Sequence, residues 1–466
     1  MCLGALDFRK VKKIRSILNS TIVDLIQNHR DILCQNPSRD FTRNRDFTPK
    51  KIFSTLLQFN SKNTESELID ICGCENSDRN INAAFLGQRK KLGDDCMPFL
   101  FRSFTNAISD EFYQTDIDDP LYGYHVLATD GSDVNIARNP HDPLTYIEKK
   151  GKRGYNQVHL NAIFDVSSNL CMAASIQGIH KKQERKAFVE MLHQLNCPGK
   201  AILTADRGYE SFNIFAACKE IGAKFVIRLK DINSNGILSA YDLEDGEFNS
   251  YIYTKLTRSH ANKFLKDPKT YTILSKKTDF DFFEEDGTYE IWFRIVRFRL
   301  PNGKYVAVDT NLEEDEFNIK SIAAIYKLRW GCETAFRKVK HTIGLVNFHS
   351  WKMQYIKQEL FARLIMYNFC SAIVDAVKPD TFGSATDDVP LPESDGANKP
   401  EPKEKRGIAF SQAVTVCRKL LVKCTVSFVK DAIETIRAHI YISKTGRSYK
   451  RDVKPKSCVP FCYKPS

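Results

Sequence analysis

No stretch of about eighteen consecutive residues in this 466-residue sequence is both apolar and free of charge, which excludes a chain organised around membrane-spanning helices. The opening MCLGALDFRKVKK holds too short an apolar run for a secretory signal, so a cytosolic protein is expected. Paired cysteine motifs are also missing. Of 14 cysteines, the nearest approaches to a zinc spacing are Cys72-Gly-Cys74 and Cys458-Val-Pro-Phe-Cys462, and neither has a convincing second pair. Others, such as Cys218 in IFAAC and Cys370 in MYNFC, lie in apolar runs and read as reduced core residues. No internal repeat is visible.

What is present is ordinary globular material with a basic excess. Hydrophobic residues make up 42% of the chain, enough to bury the cores of two to four domains. Lys and Arg number 69 against 57 Asp and Glu, a formal charge of +12 that favours a polyanionic partner, although a solvated basic surface explains charge alone equally well.

The pattern divides the chain into six stretches. Residues 1–115 read as helical: Val11, Ile14, Ile17, Leu18, Ile22 and Leu25 recur at helical spacing, and Pro49 suits the first turn of a further helix. Two short helices follow, SELIDICG and INAAFLGQRKKL, separated by a polar stretch with Asn76, Ser77, Asp78 and Asn80. That layout suits a helix-turn-helix whose second helix would offer Arg89, Lys90 and Lys91 to a DNA groove, or equally a surface helix with a basic end. Residues 116–230 alternate short apolar runs with helical segments, a mixed α/β pattern of locally paired strands followed by helix-joined ones. Residues 231–312 break this rhythm with turn signals and β-rich runs, including a hairpin around Leu300 to Lys304, and read as an inserted β subdomain. Residues 313–378 return to helices, 379–406 form a proline-rich linker, and 407–466 hold a helical segment and a basic tail.

Three carboxylates carry the chemical reading. Asp130 closes the run YHVLAT and Asp206 closes ILTA, so each is expected at the carboxyl end of a strand, where open α/β sheets place ligand sites. The third lies in a helix spanning Ile322 to Ile343. At about 100° per residue, Tyr326, Arg329, Glu333 and Lys340 fall within a sector of roughly 60°, beside an apolar stripe of Leu328, Cys332, Ala335 and Val339. Packing that stripe on the sheet would aim Glu333 at the aspartates. A surface salt-bridge ladder is the blander account of the same charges. Asp133 and Asp165 compete for the first position, but Asp130 ends its apolar run directly.

The spacing Tyr-x2-Arg-x3-Glu-x6-Lys resembles the signature of bacterial insertion-sequence transposases of the IS-four family. The likeness extends to DGS at Asp130, DRGY at Asp206, FVIRLK at Phe225 to Lys230 and TNL at Thr310 to Leu312, covering about residues 122 to 350. AFLGQRKKL is similar to a segment near that position in relatives. The resemblance implies a ribonuclease-H-like catalytic core interrupted by a β-rich insertion, with helical N-terminal DNA-binding and C-terminal regions. It implies a DDE enzyme of a transposable element that cuts and rejoins DNA at terminal inverted repeats, working as a homodimer bridged by transposon ends and target DNA. Such a protein belongs with the bacterial nucleoid. Asp130, Asp206 and Glu333 would then hold metal, and oxygen-only ligands suit Mg²⁺, with Mn²⁺ as a substitute. Tyr326, Arg329 and Lys340 would hold phosphates. Trp330 would stack on a displaced base, core packing being its other reading, and Trp292 is a second stacking candidate. Two alternatives stay open: a ribonuclease-H-like nuclease without strand transfer, and an idle DNA-binding protein derived from a transposase.

Overall fold

In the computed structural model of the chain, the described residues are 3–73, 80–112, 121, 123–195, 200–300, 302–379, 382, 389 and 406–442. The basic tail, most of the proline-rich stretch, and the polar connection after Gly73 lie outside them.

Six helices open the chain: α1 (Leu3–Asn28), α2 (Arg30–Leu33), α3 (Pro49–Gln58), α4 (Thr64–Cys72), α5 (Ile81–Arg89) and α6 (Cys96–Phe112). Their starts follow from capping. Thr48 accepts from Lys51 N–H ahead of Pro49, Asn63 accepts from Ser66 N–H, and Asn80 accepts from Ala83 N–H. The apolar stripe of α1 is buried at all six positions from Val11 to Leu25.

The sheet follows, built from β1 (Tyr124–Ile136), β2 (Tyr146–Lys149), β3 (Lys152–Asp165), β4 (Leu170–Gly178), β5 (Lys200–Ala205), β6 (Lys224–Arg228), β7 (Phe248–Thr257), β8 (Tyr271–Ile273), β9 (Thr288–Arg299) and β10 (Tyr305–Thr310). Their order is β2-β3-β1-β5-β6-β10-β9-β7-β8, with β4 also on β3. The first strands pair locally and antiparallel, whereas β1, β5 and β6 run parallel, with α7 (Glu184–Leu192) and α8 (Phe212–Glu220) on the connections. A single turn, α9 (Asn262–Leu265), lies between β7 and β8.

The segment 231–312 does not stand apart from this sheet. β10 pairs with β6 and with β9, so β7 to β10 extend it from one edge. The β9–β10 hairpin closes with Leu300 N–H donating to Lys304 C=O at 2.8 Å, and Gly303 supplies the positive φ of 81° that the turn requires.

Two helices return to the sheet, α10 (Ile319–Leu328) and α11 (Trp330–Arg337), and then α12 (Met353–Val377) runs through the middle of the helical half. By length and composition α12 is apolar enough to cross a membrane, yet it is mostly buried, packed against α1, α3, α6 and β4. Its polar residues meet internal partners, which accounts for charges inside an apolar helix. Arg363 donates to Asn60 C=O at 3.1 Å and Asn347 C=O at 3.3 Å, and Asn368 joins Thr105 and Cys171.

The final helical segment is two helices, α13 (Phe410–Val422) and α14 (Val426–Ala438), flanked by the small ladder of β11 (Arg406–Ile408) with β12 (Ile440–Ile442). Arg437 pairs with Asp7 at 2.6 Å and Arg15 donates to Leu420 C=O at 2.8 Å, tying these helices to α1.

Candidate active site

The parallel register of β1 on β5 runs from Tyr124↔Lys200 to Ala128↔Thr204. Asp130 lies two residues past the last β1 rung of that ladder and Asp206 two past the last β5 rung, close enough that the charge of Asp206 acts on Asp130. Asp206 follows the last residue of β5, and its carboxylate accepts from Gly208 N–H at 2.7 Å, capping a tight turn over Arg207–Tyr209.

Asp130 differs from expectation, because β1 does not end there. The strand continues to Ile136 as a partner of β3 alone. The apolar run stops at Asp130 because the ladder to β5 stops at Ala128, leaving one side of β1 open. Burial raises the pKa of Asp130; Gly131 N–H, bonded at 2.8 Å, and Arg329 oppose the rise, while the charges of Asp206 and Glu184 add to it.

The glutamate stretch is not one regular helix. At Arg329 two short-span bonds, Arg329 N–H to Tyr326 C=O and Cys332 N–H to Arg329 C=O, tighten the chain between α10 and α11. Residues Lys338–Ile343 then widen into a π turn, closed by Gly344 at φ 99°. Cys332, Ala335 and Val339 are buried as their spacing predicts, with Leu328 half-buried. Phe336 packs edge-on against Phe164 of β3 at 5.2 Å. Gly331 permits this seat, since a Cβ there would come within 2.9 Å of Val166 Cγ1.

Arg329 and Tyr326 are buried rather than displayed. The Arg329 guanidinium lies 5.8 Å from the Tyr326 ring and 5.6 Å from the Trp330 ring, and one terminal nitrogen is 3.6 Å from Glu333. Its Nε is buried with no hydrogen-bond partner among the described residues. Burial works against its charge, but Tyr326, Glu333 and Asp130 outweigh burial and hold its pKa above the ordinary value. Glu333 itself is half-buried in the first turn of α11. Lys340 reaches β1 from the π turn, donating to Asp133 C=O at 2.7 Å. Trp330 is 57% exposed, which removes core packing as its role. Trp292 is half-buried beside Tyr251, 6.2 Å between rings.

The basic end of α5 requires a correction. Arg89 is fully buried, with Nε on Gln358 at 2.9 Å and one terminal nitrogen on Tyr355 C=O at 2.8 Å and on Glu359 at 3.0 Å. It locks α5 to α12 and has no surface to offer a groove. Ile81, Phe85 and Arg89 share one buried face at a spacing of four residues, so burial takes the arginine with it. Lys91 is half-buried on Gln88, and Lys90 is exposed.

Sequence reasoning missed a polar row beside Asp130. His159 Nδ1 meets Asp133 Oδ1 at 2.6 Å, and His159 Nε2 lies 3.0 Å from Glu184 Oε1, which also pairs with Lys182 at 2.9 Å. Burial lowers the pKa of His159, but bonding to the two carboxylates carries it above its ordinary value. Asp165 serves a turn instead, accepting from Ser167 N–H and Ser168 Oγ and meeting His125.

Among the described residues, no group of three or more His, Cys, Asp or Glu side chains is set to hold a metal ion. Glu333 is thus not gathered into one cage with Asp130 and Asp206, being engaged by Arg329 instead. The aspartates alone still suit a hard cation: both are oxygen donors, and they stand close enough that the charge of Asp206 acts on Asp130. Cys34, Cys96, Cys171, Cys218, Cys332, Cys370 and Cys417 are buried thiols, as their apolar surroundings predict.

No curated protein matches the chain. Among solved structures, it is similar to a piggyBac transposase synaptic complex with hairpin DNA, seen by cryo-EM, at 10% identity over 97% of this chain and 87% of that one, with a TM-score of 0.42. The family model of the transposase DDE domain matches residues 121–369, more than half the length and including Asp130, Asp206 and Glu333, and the chain belongs to that family of DNA-transposing enzymes.

Proposed function

We propose that this chain is a cut-and-paste transposase of a bacterial insertion sequence, of the IS-four type, acting at terminal inverted repeats with Mg²⁺. The observation that carries the reading is that Asp130 and Asp206 follow the last rungs of the β1–β5 ladder, with α10 and α11 packed against β1. Antiparallel β1, β3 and β4 followed by parallel β5 and β6 are the layout on which we base a ribonuclease-H-like assignment for the core.

A divalent cation bound here would activate the attacking oxygen and stabilise the leaving one in an in-line displacement at phosphorus. Asp130 and Asp206 would hold it. Glu333 would complete the set by leaving Arg329, which its half-exposed position at the start of α11 allows. Arg329 would turn its unpartnered Nε and the freed terminal nitrogen to a phosphate, and Lys340 would exchange the Asp133 carbonyl for another. Both exchanges replace a contact within the protein by a charge-assisted one to DNA, so the site is closed before substrate arrives. Exposed Trp330 beside Arg329 would take an unstacked base.

End recognition falls in this reading to residues 1–115, the homodimer holds two ends, and the complex works at the bacterial nucleoid. Retention of all three carboxylates favours this over an idle derivative, and joined products would exclude a nuclease without strand transfer. The test supplies purified protein with end DNA and Mg²⁺ or Mn²⁺. Cleavage and joined products should appear with metal and vanish with chelator, while a gel shift persists at constant ionic strength. Binding lost on chelation, or cleavage surviving it, refutes the proposal.

A further inference from the structure

Glu184 opens α7, in the sequence ERKAFVEML, and reaches back to the two strands that carry the aspartates. Its contacts place it between them. A Cβ built on Gly131 would come within 2.9 Å of Glu184 Oε1, and one built on Gly208 within 3.9 Å of Oε2, so this carboxylate touches the residue after Asp130 and nears the turn that Asp206 caps. Glycine at 131 is what allows the approach, for that Cβ would also stand 2.2 Å from His159 Nε2.

The side chain is held there. Oε1 lies 3.0 Å from His159 Nε2 and 2.9 Å from Lys182, and His159 is braced on its other ring nitrogen by Asp133 at 2.6 Å. Bonding to His159 is the largest influence keeping Glu184 ionised and outweighs burial, and with Lys182 it holds the pKa down at about 2. Glu184 is therefore charged at any working pH, and Asp130 feels that charge. The charge of Arg329 also acts on Asp130; its side chain is nine-tenths buried and its Nε has no hydrogen-bond partner among the described residues.

We propose that Glu184 is a fourth carboxylate of this active site, a positioning residue that strengthens divalent-cation binding at Asp130 and Asp206, oriented by His159 and partly offset in charge by Lys182. This rests on the metal-dependent reading given above. A fixed negative charge next to two cation-binding carboxylates adds its own attraction for the cation, and the repulsion it imposes on them when the site is empty is offset once the cation binds. Oε1 is occupied, so Oε2 is the oxygen turned toward the Asp206 side, where it can act on the cation through its solvent shell.

The experiment titrates the full chain without DNA with Mn²⁺, following free Mn²⁺ by electron paramagnetic resonance at fixed ionic strength. Wild type should show a site that Asp130→Asn abolishes. Glu184→Gln keeps size and hydrogen-bonding capacity and should weaken that site by about tenfold. Lys182→Ala removes an exposed cation that offsets Glu184 and should tighten it several-fold, a change opposite in sign that no general loss of folding produces. Mn²⁺ binding in Glu184→Gln equal to wild type, or no tightening in Lys182→Ala, overturns the inference while leaving the Asp130 result intact. Absence of any Asp130-dependent Mn²⁺ site removes the reading beneath it.

Discussion

Glu333→Gln separates the two roles available to this residue, metal holder and salt-bridge partner, because they predict losses of very different size. In the free protein Glu333 meets Arg329 at 3.6 Å, one helical turn away, with its side chain 38% exposed. A pair of that kind contributes at most about 0.5 kcal/mol, so as a mere ion-pair partner the glutamine variant should melt within a degree or two of wild type and cut DNA at a similar rate. As a metal holder it loses an anionic oxygen present in the transition state, and cleavage should drop by about three orders of magnitude, some 4 kcal/mol in barrier. DNA affinity should stay level or rise slightly, since Arg329 is freed for phosphate. Arg329→Ala and Lys340→Ala provide the contrast: weaker binding, a shallower salt dependence, and residual cleavage that added Mg²⁺ does not restore. The assay is single-turnover cleavage of an end duplex at saturating DNA, alongside a salt-titrated gel shift. A fall of less than about tenfold in Glu333→Gln would refute the metal role.

Two further outcomes follow from the buried charges that join the N-terminal helices to α12. Arg89→Ala leaves Glu359 buried with its main cation gone and should destabilise the protein by about 3–5 kcal/mol, read as a lowered denaturant midpoint, while the salt slope of DNA binding stays unchanged; a reduced slope with unchanged stability would return Arg89 to a DNA-contacting role. His349 lies between Glu359 at 3.0 Å and Glu67 at 3.8 Å, and although burial lowers its pKa, these carboxylates carry it above the ordinary value. Its raised folded-state pKa means that its stabilising charge is fully present below about pH 6.5 and is lost as pH rises through the folded value, so the denaturant midpoint should decline on the alkaline side in wild type and less so in His349→Gln. Equal pH profiles for the two proteins would remove His349 from the account.

What the sequence makes legible here follows from how local each cause is. The α1 stripe, the cap before Pro49 and the Asp206 strand end depend on a few neighbouring residues, and period and turn chemistry reveal them. Asp130 is legible as a break in an apolar run, but the reason for the break is not. It marks where β5 leaves β1, two strands that meet across some 75 residues of chain, whereas β1 itself goes on with Val134 and Ile136 buried against β3. The charge on Arg89 conceals a periodicity that was readable, since a residue four after Phe85 and eight after Ile81 shares their buried face whatever its charge, and Glu359 on α12 supplies the compensation. Glu184 and His159 are further from reach. One sits at a helix start and the other inside a strand, each unremarkable alone, and only the crossing of β3, α7 and the Asp130 strand brings them within 3.0 Å. The regular-helix assumption for residues 326–340 also has a local limit. It places Cys332, Ala335 and Val339 correctly, but it does not foresee that the chain widens into a π turn over Lys338–Ile343, from which Lys340 donates to Asp133. From that turn Lys340 meets β1 three residues from Asp130, and π turns within otherwise regular helices are frequent at functional sites.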